Sequence, residues 1–204
     1  MNKNKLLILG IGNILWADEG FGVRCVEAMH ANYQFGDDVV VLDGGTQGLY
    51  LLPFLEEARY LIVFDAVDYG KTPGDMVIAK DDEVPRFMGA KKMSLHQTGF
   101  QEVIACASLG DKLPESMMLI GVQPEQLEDF GGSLRDIVKQ QIPRALEVAL
   151  EQIREWGYAC TPRSLHVVDE HQHVLQMDEY EAGRPSAELA CRVGDERFMS
   201  ASSN

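Results

Sequence analysis

Five carboxylates and one imidazole are the side chains of this 204-residue chain whose types and placing could do chemistry: Asp18 and Glu19, Asp43, Asp65 with Asp68, and His96. Each acid follows a short apolar run, and His96 stands at what reads as the start of a helix. Carboxylates crowded into one place raise one another's pKa or need a cation. An imidazole beside them makes a mixed oxygen and nitrogen ligand set, suited to zinc, nickel or manganese rather than to a thiolate-seeking metal. Three such ligands leave coordination positions open for a substrate. Plainer roles exist for each residue alone. Asp18 suits an N-cap, Asp43 could shape the Gly44-Gly45 turn, and His96 could pack in a helix terminus. The coincidence of Glu19, Asp65 and His96 at strand ends and a helix start favours a site.

Positioning those groups needs a particular order of elements. The run at 5–9 reads as a buried strand closed by glycine, and a helix is expected over 20–32, with Asp18 as its candidate cap. A second strand at 38–42 ends in Asp43, a helix follows over 48–58, and a third strand at 60–64 ends in Asp65. The turn-rich DYGKTPG leads straight into 76–79, a link short enough to make that strand antiparallel and an edge. Ser94-Leu95-His96-Gln97 has capping-box spacing and starts a helix running to about 108, with His96 in its first turn. A fifth strand is expected at 117–122. From Ser133 a long helix carries Leu134, Val138, Ile142, Ala145, Ala149, Ile153 and Trp156 on one stripe, bent at Pro143 and stopped by Gly157. Strands alternating with helices predict an α/β three-layer sandwich around a mainly parallel five-stranded sheet, with sites at the carboxyl ends of its strands. Residues 1–157 read as the single domain, and 158–204 as a polar, loosely ordered tail.

Composition narrows the function classes. A net charge of -14 repels phosphate backbones and anionic membranes, so nucleic-acid binding and membrane insertion are not expected. No stretch approaches a membrane span or a signal-peptide core, which predicts a cytoplasmic, monomeric protein. Cys25, Cys106, Cys160 and Cys191 form no CxxC pair and read as structural thiols, two of them in apolar helical settings. Gly10-Ile11-Gly12 resembles the opening of a dinucleotide fingerprint. The third glycine position, however, holds Leu15, and Asp18 with Glu19 would repel a pyrophosphate at the helix entrance. No GxSxG elbow is present, and neither Cys25 nor Cys106 has an evident base nearby. His30 reads as a core or boundary residue on an apolar helix stripe. His166, His171 and His173 lie in the tail, the last two as a possible adventitious metal pair.

The motifs GIGNILWADEGFGV (10–23), LDGGTQG (42–48), DAVDYG (65–70), SLHQ (94–97) and LIGVQPE (119–125) together resemble the nickel-iron hydrogenase maturation endopeptidases, in particular the branch serving membrane-bound uptake hydrogenases. The likeness spans about residues 5–157 in five ordered motifs. It implies an endopeptidase that removes a short C-terminal extension from the precursor large subunit of a nickel-iron hydrogenase once nickel has been inserted. It also implies Glu19, Asp65 and His96 as the metal-binding residues, with the nickel supplied by the substrate, and a functional role for Asp43. Two mechanisms stay open at this level. In one, Glu19, Asp65 and His96 grip the nickel, with Asp43 or a metal-bound water as base. In the other, two of the acids Asp43, Glu19 and Asp65 work as an aspartic-type pair and the metal only positions the substrate. The alternatives to a protease are a non-catalytic checkpoint that binds nickel-loaded large subunit, and a dinucleotide-binding oxidoreductase.

Overall fold

The computed structural model describes residues 5–88, 95–127, 129–163 and 177–183, the side chains of 87–88, 95–98 and 183 excepted. Its centre is a five-stranded sheet in the order β3-β1-β4-β6-β5, with β1 (Lys5–Ile11), β3 (Val39–Gly45), β4 (Ala58–Ala66), β5 (Met76–Lys80) and β6 (Ser116–Val122). All neighbours run parallel except β5, which pairs antiparallel with β6 at one edge, as its short connection requires. The inner strands β1, β4 and β6 are near-continuous apolar runs because both of their faces are covered.

Two cores follow from the period of two along these strands. Leu6, Ile8, Ile62, Phe64 and Ile120 face α1 (Phe21–Asn32) and α6 (Ile142–Glu155). Leu7, Leu9, Leu61, Val63 and Leu119 face the opposite layer, with Leu51 and Leu55 beside α2 (Leu52–Glu57) and Phe100 and Val103 of α4 (Leu95–Leu109). The three-layer sandwich and its antiparallel edge are therefore as the sequence implied. A smaller pairing was not anticipated: β2 (Tyr33–Phe35) and β7 (Cys160–Pro162) make a two-stranded antiparallel ribbon.

Several local expectations are corrected. The long helix from 133 is two helices, α5 (Asp136–Lys139) and α6, and Pro143 occupies the first turn of α6 rather than a mid-helix bend. Proline suits that place, where its missing N–H would have had no partner. Ser133 does not cap; its hydroxyl donates to Glu181 at 2.7 Å in α7 (Met177–Gly183). Thus β7 and α7, both beyond residue 157, are built onto the domain. Gly157 does end α6, with φ at 83°. His30 is exposed, and so is Cys106, whereas Cys25 is buried. The Ser94 cap, Cys191, His166, His171 and His173 lie outside the described residues. Among the described residues, no helix is long and apolar enough to cross a membrane.

Candidate functional site

Strand order reverses around β1: the chain goes from β1 to β3 on one side, then across to β4 on the other. Crevices at such switch points, outside the carboxyl ends of the strands, are where open α/β sheets bind ligands. Glu19 lies in the turn that follows β1, and Asp65 is the penultimate residue of β4, so the two come from beside the adjacent strands that flank this point.

The turn between Ile11 and Phe21 is built to present Glu19. Gly12 has φ of 136°, and a Cβ there would stand 1.8 Å from the Glu19 carbonyl oxygen. A Cβ on Gly22 would meet the Phe64 carbonyl oxygen at 2.2 Å, so α1 starts directly against β1 and β4. These glycines permit close backbone packing. Residues Ala17–Gly20 form one 3-10 turn that packs on the end of β4. Asp18 within it is fully buried and is not an N-cap: α1 begins with no side-chain cap. Its Oδ2 instead accepts the N–H groups of Glu125 and Gln126, each at 2.8 Å, and its Oδ1 accepts that of Arg135 at 2.7 Å.

Glu19 is half-buried, and burial pushes its carboxyl up to about 7. Asp65 is 1% exposed and faces the α2/α4 layer, by alternation with Phe64 and Val63. Tyr69 stands close enough that, after burial, the charge of Asp65 is the second cause raising its phenol. His96 lies in the first turn of α4, as the sequence implied, although its side chain is outside the described ones. What places that turn is a backbone-to-backbone approach: a Cβ on Gly99 would lie 3.2 Å from the Gly48 Cα. The start of α4 is thereby packed against the turn that ends the GGTQG segment.

Asp43 is handled differently. It pairs with Gly10, the residue that also pairs with Phe64, so its Cα sits about 10 Å from the β4 strand by two interstrand spacings. Gly44 faces Leu9 and Ile11, so Asp43 faces the α1 layer, opposite to Asp65. There it meets Arg24 and Glu27. Burial raises Asp43, against the Gly45 N–H and the Arg24 charge, and burial likewise raises Glu27. Arg24, 3% exposed, bonds both Glu27 oxygens at 2.9 and 2.8 Å and lies 5.6 Å from the centre of the Tyr180 ring. Among the described residues no three His, Cys, Asp or Glu groups gather as a metal site. Glu19, Asp43 and Asp65 therefore do not form an all-carboxylate cluster.

Three positions carry more than their sequence signals suggested. Arg24, not singled out in the sequence, is buried and pairs with Glu27. Asp18 looks like a cap and is a loop anchor. Gln123, 5% exposed, is marked in the sequence only within the LIGVQPE motif and holds the loop after Asp65. Beside the Glu19 turn, Leu15, Trp16 and Phe130 remain exposed, the two rings meeting edge-on at 5.4 Å.

A doubly wound α/β sandwich with carboxylates at its switch point, and acidic groups where a phosphate-binding helix start would be, is set against a nucleotide-binding class. The comparisons with known proteins specify the class. A family model described as hydrogenase maturation protease matches residues 23–152. The chain is 59% identical over 195 residues to the hydrogenase expression/formation protein HupD of Rhodobacter capsulatus, covering 96% of this chain and 93% of that one. It is 57% identical over 199 residues to HoxM of Azotobacter vinelandii, with 98% and 96% covered. Among solved structures, the hydrogenase maturating endopeptidase HybD from Escherichia coli superposes with a TM-score of 0.74 at 40% identity, covering 78% of this chain and 98% of that one. The chain belongs to the hydrogenase maturation protease family, and is a hydrolase of the endopeptidase kind.

Proposed function

We propose that this protein removes the C-terminal extension from the nickel-loaded precursor of a nickel-iron hydrogenase large subunit, completing its maturation. The observation that carries the reading is family membership, with the motif carboxylate Glu19 in the turn after β1 and Asp65 near the end of the adjacent strand β4. The precursor subunit is the partner, and its nickel is treated as part of the substrate. Glu19 and Asp65, with His96 from the first turn of α4, are the proposed grip on that ion. Two oxygen donors and one nitrogen suit nickel and leave positions open for the substrate's own groups. The chemistry the ion supplies there is polarisation of the scissile carbonyl.

Asp43, on the opposite face with Arg24 and Glu27, is proposed to shape the rim rather than to hold nickel. Exposed Trp16 and Phe130 offer a polypeptide apolar contact next to the Glu19 turn. The test incubates the purified protein with nickel-loaded and nickel-free precursor and reads the precursor mass. Loss of the extension from the loaded form alone is expected; an unchanged loaded precursor refutes the reading.

A further inference from the structure

We propose that segment 123–126, which leaves β6, is a gauge that fixes the separation of Glu19 from Asp65, with Gln123 and Asp18 as its two positioning residues. The inference rests on Glu19 and Asp65 acting as a pair.

The segment is bonded in opposite directions. Toward Asp65, the Val122 carbonyl accepts the Val67 N–H at 2.8 Å, directly after β4. The Gln123 side chain then takes over the loop. Its Oε1 accepts the N–H groups of Tyr69 at 2.8 Å and Lys71 at 3.1 Å, and its Nε2 donates to Asp68 Oδ1 at 3.0 Å. Its own backbone N–H donates to the Asp75 carbonyl at 2.8 Å, and its carbonyl accepts the Gly74 N–H at 2.9 Å. Loop 67–75 is thus tied to one residue.

Toward Glu19, the bonds come two residues later. The N–H groups of Glu125 and Gln126 converge on Asp18 Oδ2, and the Gln126 carbonyl accepts the Asp18 N–H at 3.1 Å. Charge-assisted bonds of this kind are about twice as strong as neutral ones. They act on a strained turn, since Ala17 adopts φ of 44° immediately before Asp18. Pro124, with its fixed φ, stands between the two sets of bonds. Asp18 adjoins Glu19 in sequence, and Asp68 is three residues beyond Asp65. A short, doubly anchored segment therefore spans the two acids that β1 and β4 bring up separately.

A pair of groups displaced by about 1 Å can lose on the order of 100-fold in rate. The full-length chain carrying Asp18→Asn or Gln123→Glu is assayed on nickel-loaded precursor, at a temperature where circular dichroism shows each variant folded. Asn keeps the shape of Asp18 but turns an amide toward a backbone donor. Glu at 123 keeps the two accepted N–H bonds but opposes the Asp68 carboxylate. Both variants are expected to lower kcat by about 30- to 100-fold with KM changed less than about twofold, and to weaken binding of nickel chloride in a calorimeter by about tenfold. Ile153→Ala, in the α6 core, serves as the variant with comparable loss of Tm and unchanged kcat. Normal kcat in folded Asp18→Asn and Gln123→Glu, or a loss that Ile153→Ala shares, overturns the gauge. If Gln123→Glu does not fold, Gln123→Met, which lacks the amide, takes its place with the same expected loss of kcat. Glu19→Gln separates the two levels. If it is inactive while the gauge variants are normal, the gauge alone fails. If it cleaves like the wild type, the pair reading fails and the gauge with it.

Discussion

Replacing Glu19 with Gln should make the metal-free protein more stable relative to wild type as pH rises, which is an unusual direction for losing a charge. The cause is burial. Glu19 sits in a half-buried position that raises its carboxyl from an ordinary 4.5 to about 7. The native state therefore holds the proton more tightly than the unfolded chain does. Its contribution is fully present below about 4.5 and is lost as pH rises through about 7, because the unfolded chain ionises first. A fully desolvated carboxyl carried over that range would cost the native state about 3 kcal/mol once ionised. Glu19 keeps one side toward solvent, which screens it and brings the expected figure to about 1–2 kcal/mol. Gln has nearly the same shape and does not titrate. Urea melts of both proteins at pH 5 and pH 8 should show the variant gaining about 1–2 kcal/mol on the wild type between the two conditions, or a Tm gain of a few degrees. Asp43 and Glu27 are also raised by burial, but they are common to both proteins and cancel. A stability difference that is the same at both pH values would refute the argument, and would mean that Glu19 is ordinarily solvated.

Three further outcomes follow from the site and its packing. His96→Ala should abolish nickel-dependent processing while leaving the melting curve unchanged; normal processing would remove His96 from the site. Asp43→Asn should leave nickel chloride binding within about twofold of wild type, whereas Asp65→Asn should lose it by 10-fold or more. Equal losses in a calorimeter would place Asp43 in the grip after all. Gly22→Ala should destabilise the domain by about 3 kcal/mol or more in urea, because the added methyl overlaps the Phe64 and Ile11 carbonyl oxygens. A loss below about 1 kcal/mol would show that α1 can lift off the sheet.

The sheet was legible because its evidence is local. Apolar runs of four or five residues closed by Gly10, Asp43 and Asp65 announce buried parallel strands, and the short DYGKTPG link announces an antiparallel edge. The end of α6 at Gly157 and the start of α4 before His96 were also written in nearby residues. Failures came where one residue type serves two purposes. Ser133 and Asp18 both have the chemistry of caps, but a side chain that can accept a backbone N–H will take whichever donors the tertiary fold supplies. Pro143 was read as a bend because its stripe continues across it, when a proline equally well begins a helix.

By itself, then, the sequence determined the layers, the strand ends and the residue types that reach them, since hydrophobic period and turn chemistry act over a few positions. It could not decide facing. Asp43 and Asp65 look equivalent as acids that end strands, yet a single step in the pleat puts one against Arg24 and Glu27 and the other on the α4 side. Nor could it foresee that one short segment would hold loop 67–75 through Gln123 and be held in turn by Asp18. Those partners are about 50 and about 110 residues away in the chain, and only the closing of the sheet brings them within reach.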